Sequence, residues 1–103
     1  MGIVITRGAG PISIARPCIL HAIQVSNTLN ATRWLHARAT ALTPGSTPLL
    51  TPWWLGANNA TSGHLMLSMP PTSWPEVHVG LSSTQATWTA TTDGIFAVFW
   101  EPV

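Results

Sequence analysis

The sequence predicts an all-β protein, a single antiparallel β-sandwich or jelly roll of about seven to eight strands. Three observations support this. Short apolar runs alternate with a period of two, proline, glycine or asparagine interrupts almost every run, and no stretch shows the apolar spacing of a helix. With 103 residues, the chain has room for one such domain.

The first residues are predicted to form an extended N-terminal arm, residues 1–11, followed by the sandwich domain, residues 12–103. Residues 3–5 could make a short strand. Residues 7–11 contain two glycines and a proline, so we expect them to be flexible and unable to pair regularly. An apolar arm on a flexible hinge suggests docking onto a neighbour, although a frayed terminus would give the same pattern.

The next predicted strands cover residues 12–14, 18–26 and 32–40. The first is interrupted by Pro17 and is expected at a sheet edge. Between the other two lie asparagine, threonine and alanine, which favour a turn. These two strands are therefore predicted to form an antiparallel hairpin, with Ile23 in the core.

Prolines shape the middle of the chain. Residues 47–55 look extended but contain Pro48 and Pro52, which exclude a central strand. A strand over residues 64–69 follows, with its leucines facing one way. The prolines at positions 70, 71 and 75 then predict a long irregular connection.

The last part of the chain predicts three more strands. Residues 77–81 alternate clearly, and residues 86–91 form a threonine-rich run around Trp88. An Asp-Gly pair predicts a hairpin turn before residues 95–100, which are apolar on both faces and therefore predicted to be central. Phe99 is expected to be a core residue.

Charge is unusually scarce. The chain has four arginines, three acids and no lysine, whereas about a quarter of the residues of a typical soluble domain are charged. Such a surface suits a component of an assembly. Four scattered arginines cannot neutralise a long run of phosphates, so we expect no nucleic-acid partner. No apolar run reaches the roughly 18 residues that span a bilayer, so we expect no membrane partner.

The reactive side chains form no recognisable catalytic pattern, and the chain is predicted not to be an enzyme. Asp93 is explained by its turn, while Glu76 and Glu101 are expected to be solvated. The single cysteine, Cys18, is expected to be buried as a small hydrophobe. The histidines have no metal-binding spacing, so no metal or cofactor is predicted; they are His21, His36, His64 and His78.

The six tryptophans divide into two groups. One group falls inside predicted strands and is expected in or near the core: Trp34, Trp88 and Trp100. The other falls beside prolines in irregular segments: Trp53, Trp54 and Trp74. A tryptophan in such a segment either plugs the end of a sandwich or anchors a partner.

Several motifs together resemble a small β-sandwich family of tailed-bacteriophage structural proteins. They are ILHAIQVSN at residues 19–27, ATRWL at 31–35, PGSTPLL at 44–50 and an Asp-Gly strand at 93–99. Members of that family usually carry Tyr-Leu-Lys after the first turn, where this chain has Arg-Trp-Leu-His. The resemblance spans most of residues 19–100 and implies a virion component with no catalytic residues to transfer.

We therefore expect a non-enzymatic virion protein, assembled in the host cytoplasm: a capsid decoration (cement) subunit that binds and stabilises the phage head shell. Its partners would be the major capsid protein or another virion protein, and other copies of itself, a trimer being one candidate size. The expected interface residues are Ile3, Val4, Ile5, Arg7, Trp53, Trp54 and Trp74.

Two other functions compete with this expectation. The first is a carbohydrate- or receptor-binding module of a phage tail or fibre, in which Trp53, Trp54 and Trp74 stack on sugar rings while Asn58 and Asn59 supply polar contacts. The second is a catalytic sandwich that uses Glu76 and the histidines.

Overall fold

The fold is a sandwich of two four-stranded antiparallel sheets, which confirms the predicted all-β class. The computed structural model describes residues 2–40, 48–86 and 93–103. The strands are β1 (Val4–Ala9), β2 (Ile12–Ile14), β3 (Cys18–Asn27), β4 (Arg33–Arg38), β5 (Trp53–Leu55), β6 (His64–Trp74), β7 (Val77–Ser82) and β8 (Gly94–Pro102). In the described residues the only helical element is a short 3₁₀ turn, Thr61–Gly63.

The strand order is that of a jelly roll. Sheet A has the order β1-β8-β3-β6, and sheet B has the order β2-β7-β4-β5. The first strand pairs with the last, the second with the seventh, the third with the sixth and the fourth with the fifth. This is the pairing that results when one long antiparallel hairpin is folded over into two sheets. Jelly rolls of this kind occur in viral capsid proteins, lectins and cupins.

The core lies between the two sheets and is built from alternate residues of each strand. The largest fully buried side chains include Ile23, Leu35 and Phe96. A Cβ atom at Gly10 or at Gly94 would overlap the Phe96 ring, so the ring depends on glycine at both positions. The predicted core position of Ile23 is confirmed.

Cys18 is fully buried, as predicted. Burial raises the pKa of its thiol, and the Arg16 charge opposes this only in part. The thiol therefore remains protonated and packs as a small apolar group among the core residues.

Residues 4–9 of the predicted arm form β1, which pairs with β8 from Val4 opposite Trp100 to Ala9 opposite Ile95. The prediction that residues 7–11 cannot pair regularly is wrong for residues 7–9. Ladder bonds use only backbone groups, which glycine and alanine supply, and Pro11 lies beyond the strand. The Trp100 indole also donates to Thr6 Oγ1 at 2.9 Å, which fastens β1 to its neighbour.

The predicted hairpin between residues 18–26 and 32–40 is wrong, because β3 belongs to sheet A and β4 to sheet B. The hydrogen bonds of Asn27 hold the chain where it passes from sheet A to sheet B. Its fully buried amide donates to Ala31 O at 2.7 Å and to Gly56 O at 2.9 Å, and its oxygen accepts from Leu29 N at 3.0 Å. The turn residues are real, but the turn carries the chain to the opposite layer.

Proline interrupts β6 less than predicted. Instead of ending near residue 69, the strand continues through Pro70 and Pro71 to Trp74. It can do so because β6 is the edge of sheet A, where one side of the strand needs no ladder partners. The extra residues are absorbed by a shift in register opposite the part of β3 between Leu20 and Ala22.

The remaining predictions have mixed outcomes. β2 is an edge strand and β8 is central, both as predicted, and β5 is not central, as its prolines indicated. Phe99, in contrast, is half-buried and lies outside the core cluster, because the inward positions of β8 are Phe96, Val98 and Trp100. The predicted strand around Trp88, residues 86–91, falls outside the described residues except for residue 86.

Candidate partner-binding surfaces

The first candidate surface is the edge of sheet B formed by β5. Trp53 and Trp54 are 49% and 46% exposed there. Neighbouring side chains on a strand point to opposite faces. Trp53 lies opposite the core residue Leu35 and therefore points to the core side, whereas Trp54 lies opposite Trp34 on the outer side. The two indoles thus present separate surfaces.

Trp53 forms one wall of a cleft of about 220 Å³. The cleft opens where β5 and β6, the edges of the two sheets, lie side by side. Its lining is mostly apolar: Leu49, Leu50, Trp53, Leu67, Ser68 and Met69. Sites for small molecules usually enclose about 300–1,000 Å³. This cleft is smaller, so it suits one or two apolar side chains of a partner.

Trp74, the third tryptophan of the predicted interface, lies elsewhere. It is half-buried at the end of β6, opposite Cys18, and it packs against the core. Its indole nitrogen is buried as well. Trp74 pairs with Cys18 and Leu67, beside Trp53, pairs with Ile23, which places the two β6 residues about 13–17 Å apart along the sheet. The three tryptophans do not form one stacking platform.

The second candidate surface is the outer face of sheet A, called the A face below. Strand register places its residues in rows across the sheet. The rows are Ile5–Phe99–Ala22–Ser68, Arg7–Ala97–Gln24–Met66 and Ala9–Ile95–Ser26–His64. Small residues at the centre leave a hollow of about 250 Å³, which is lined in part by Arg7 and Gln24.

The A face contains the predicted interface residues Ile5 and Arg7. Ile3 and Val4 are also exposed, beside it at the start of β1. Met66 and Ile95 were not predicted as interface residues, yet they are among the most exposed apolar residues that the structure describes. A signal for Ile95 was present: residues 95–100 are apolar on both faces, and the outward half of that pattern forms this surface.

The outer face of sheet B is different. Its outward residues His36, His78 and Ser82 are buried within the chain itself. His36 Nε2 donates to the Thr84 carbonyl at 3.0 Å, so part of the chain after β7 lies over this face. Of the two outer faces, the A face is therefore the more accessible to a partner.

The acids are engaged rather than simply solvated, which corrects the expectation for Glu76 and Glu101. His21 Nε2 lies 2.6 Å from Glu101 Oε1, and His78 Nε2 lies 2.7 Å from Glu76 Oε1. The nearest partner of His64 is a backbone carbonyl at 3.0 Å. Within residues 2–40, 48–86 and 93–103, no three His, Cys, Asp or Glu side chains come together in a metal-binding arrangement.

Asp93 joins two loops at one end of the sandwich. Its carboxylate accepts from Arg33 Nε at 2.9 Å, and its backbone carbonyl accepts from Thr28 N at 2.7 Å and from the Thr28 hydroxyl. Asp93, predicted to form a hairpin turn, directly precedes β8 and fastens its start to the β3–β4 connection, whereas the residues before it, 87–92, lie outside the described residues.

Burial lowers the pKa of His36, an effect that the hydrogen bond to Thr84 opposes and the charge of Arg38 adds to. The imidazole is consequently neutral at pH 7. This neutral histidine, bonded to a carbonyl, holds Thr84 against the outer side of sheet B.

Comparison with known proteins adds no relative. The chain matches no protein-family model, no curated protein and no solved structure. Among the described residues, no helix has the length and hydropathy needed to cross a membrane.

Proposed function

We propose that this chain is a non-enzymatic structural protein of a tailed-phage particle, a decoration subunit that binds the assembled head shell and stabilises it. The observation that carries the proposal is the eight-stranded jelly-roll order combined with a surface almost free of charge. Jelly rolls recur in viral capsids, and a charge-poor exterior suits a protein that is covered in an assembly.

The shell contact is assigned to the edge that carries Trp53 and Trp54. Tryptophan is the residue type most enriched at binding hot spots, because a large rigid side chain loses little entropy when it is buried. The apolar cleft beside Trp53 can receive a side chain from the shell, while Trp54 offers a second, flatter contact. Neither indole needs to move from its strand.

The first test is mass spectrometry of purified particles from the phage that encodes the chain. We expect the protein in mature heads at a copy number that follows the symmetry of the shell. If it is absent from the particles while other head proteins are detected, the proposal fails.

The second test uses shells that lack the protein. Purified protein is added, and bound copies are measured by co-sedimentation. The shells are then heated to determine whether bound protein raises their disruption temperature. Trp54→Ala should weaken binding about tenfold or more. Leu29→Ala, which truncates another exposed apolar residue, is the matched control and should bind normally. Equal binding by both variants would remove Trp54 from the contact.

The glycan- or receptor-binding alternative retains one supporting observation, the exposed Trp54 beside Trp34 on the outer side of sheet B. A glycan array probes it directly. Signal that Trp54→Ala abolishes would favour this function over shell binding, whereas signal unaffected by the substitution would not support a sugar site at this edge.

A further inference from the structure

We infer that the A face binds a second copy of this chain, with Ile5 and Phe99 at the centre and Arg7 of each copy opposite Glu101 of the other. This inference names a different surface from the proposed shell contact and does not depend on it. A chain that never enters a virion could still pair through this face.

The first support is the concentration of exposed apolar surface. Ile5 is 43% exposed, Met66 51% and Ile95 56%, and all three project from the same sheet face. Alanines at positions 22 and 97 lie between them. Arg7, Gln24 and Ser26 are interspersed among them, and several exposed apolar side chains on one sheet face are a feature of interaction sites.

The shape of the surface selects the kind of partner. A four-stranded face is broad, which suits another sheet packed about 10 Å away rather than a single peptide or helix. Four strands about 4.8 Å apart and about 30 Å long give a footprint of about 600 Å². Because side chains protrude from the sheet, its solvent-accessible area is larger than this footprint and approaches the roughly 800 Å² that each partner buries in a standard stable interface.

Charge placement argues for a second copy. Arg7 is exposed and has no carboxylate partner among the described residues. It lies opposite Ala97, and Glu101 lies four residues further along β8. The midpoint between Arg7 and Glu101 therefore falls at the Ile5–Phe99 pair. The face carries its own complementary charge, at equal distances on either side of an apolar centre.

A twofold axis that lies in the plane of the interface, runs across the strands and passes through the Ile5–Phe99 pair would place each charged side chain next to one of opposite charge. It brings Arg7 of each copy to Glu101 of the other, as an isologous interface requires. Glu101 uses Oε1 for its bond to His21, so Oε2 can accept from the incoming guanidinium. Charge pairs of this kind set the register of an interface whose apolar surface supplies most of the attraction.

Sedimentation equilibrium of the purified chain tests this pairing. We expect a particle of twice the 11.0 kDa chain mass. Arg7→Glu and Glu101→Arg should each raise the dissociation constant about tenfold or more, because like charges then face each other. The double variant Arg7→Glu/Glu101→Arg should restore pairing, as should mixing the two single variants.

A second pair of variants avoids charge altogether. Ile95→Ser should also disrupt pairing, whereas Leu29→Ser, at an exposed loop position away from the A face, should not. Both side chains are exposed, so melting temperatures measured under monomeric conditions should stay close to the wild-type value. Wild-type protein that stays monomeric at about 100 µM would overturn the inference.

An oligomer unaffected by the charge reversals and by Ile95→Ser would also overturn it, and a trimer would overturn the twofold arrangement. These outcomes are separate from those of the shell-binding experiments. A variant that loses pairing but still occupies shells leaves the proposed function intact, and a protein that pairs but is absent from particles leaves this inference intact.

Discussion

Replacing Asn27 with aspartate should unfold the connection between the two sheets, at almost no change in side-chain size. The Asn27 amide donates to the carbonyls of Ala31 and Gly56 from a fully buried position. Aspartate would place an oxygen against both carbonyls and would bury a negative charge. The effect therefore isolates hydrogen bonding and charge from packing.

The magnitude follows from the lost contacts. Each hydrogen bond contributes about 0.5–1.5 kcal/mol, and each buried group left unsatisfied costs about 1–3 kcal/mol. We expect Asn27→Asp to lower the free energy of unfolding by about 3–5 kcal/mol at pH 7, a large fraction of the roughly 5–15 kcal/mol typical of a domain. Asn30→Asp, the same change at an exposed position, should stay within about 0.5 kcal/mol of wild type.

The deficit should also depend on pH. Burial and the two carbonyls raise the pKa of the introduced carboxyl in the folded state above its unfolded value of about 3.9. The folded variant then binds a proton that the unfolded chain has lost, so its stability falls as pH rises through the folded pKa. The deficit should therefore shrink as pH falls towards about 4, where a protonated oxygen can donate to one carbonyl.

Urea unfolding followed by tryptophan fluorescence measures both effects, with wild type and Asn30→Asp examined at each pH. A loss for Asn27→Asp below about 1 kcal/mol at pH 7 would refute the argument that this amide holds the crossing. If the stability loss of Asn27→Asp relative to wild type grew as pH was lowered, the argument that a buried negative charge contributes to the loss would be refuted.

Gly10→Ala should lower the free energy of unfolding by about 1–3 kcal/mol, because the new methyl group overlaps the buried Phe96 ring. Gly2→Ala, at a position with open space around it, should leave the free energy of unfolding unchanged in the same urea titration. Ile23→Ala, a core truncation, should lower the free energy of unfolding by about 2–5 kcal/mol. Phe99→Ala should lower it by less than about 2 kcal/mol in the monomer, because that ring is half-buried on the A face. Equal losses of stability in the two variants would contradict this placement. The lowered pKa of His36 predicts that wild-type stability falls as pH drops below about 6.5, because the unfolded chain then binds a proton more readily than the folded chain. His36→Gln should lessen this fall when melting temperatures of both proteins are measured across the same pH range. An unchanged dependence of melting temperature on pH in the variant would contradict the prediction.

Periodicity predicted the strands well because alternation of apolar and polar residues is a local property. The core side of β3 and β7 and the edge position of β5 follow directly from side-chain alternation and from proline chemistry. Pairing could not be predicted in the same way. The turn after β3 is as rich in turn-forming residues as a hairpin turn, yet Asn27 bonds to Gly56, a partner 29 residues away that no local pattern identifies.

The candidate surfaces were predictable in part for the same reason. For the tryptophans beside prolines, the sequence left open whether they plug the end of the sandwich or protrude; Trp53 and Trp54 are exposed at an edge, whereas Trp74 packs against the core. The A face was missed as a unit because its residues come from four strands that are distant in sequence. Only strand register brings Ile5, Ile95 and Met66 to one side of one sheet.

The nested pairing has a consequence for synthesis on the ribosome. Among the described strands, β1 pairs only with β8, and β3 lacks one of its two neighbours until β8 has been made. During translation, the innermost pair, β4 with β5, can form early, while the first strand must wait for the last. Such distant pairing folds slowly and leaves apolar edges open meanwhile. Lower growth temperature, which weakens hydrophobic association of the open edges, should therefore raise the yield of soluble protein, and chains truncated before β8 should aggregate.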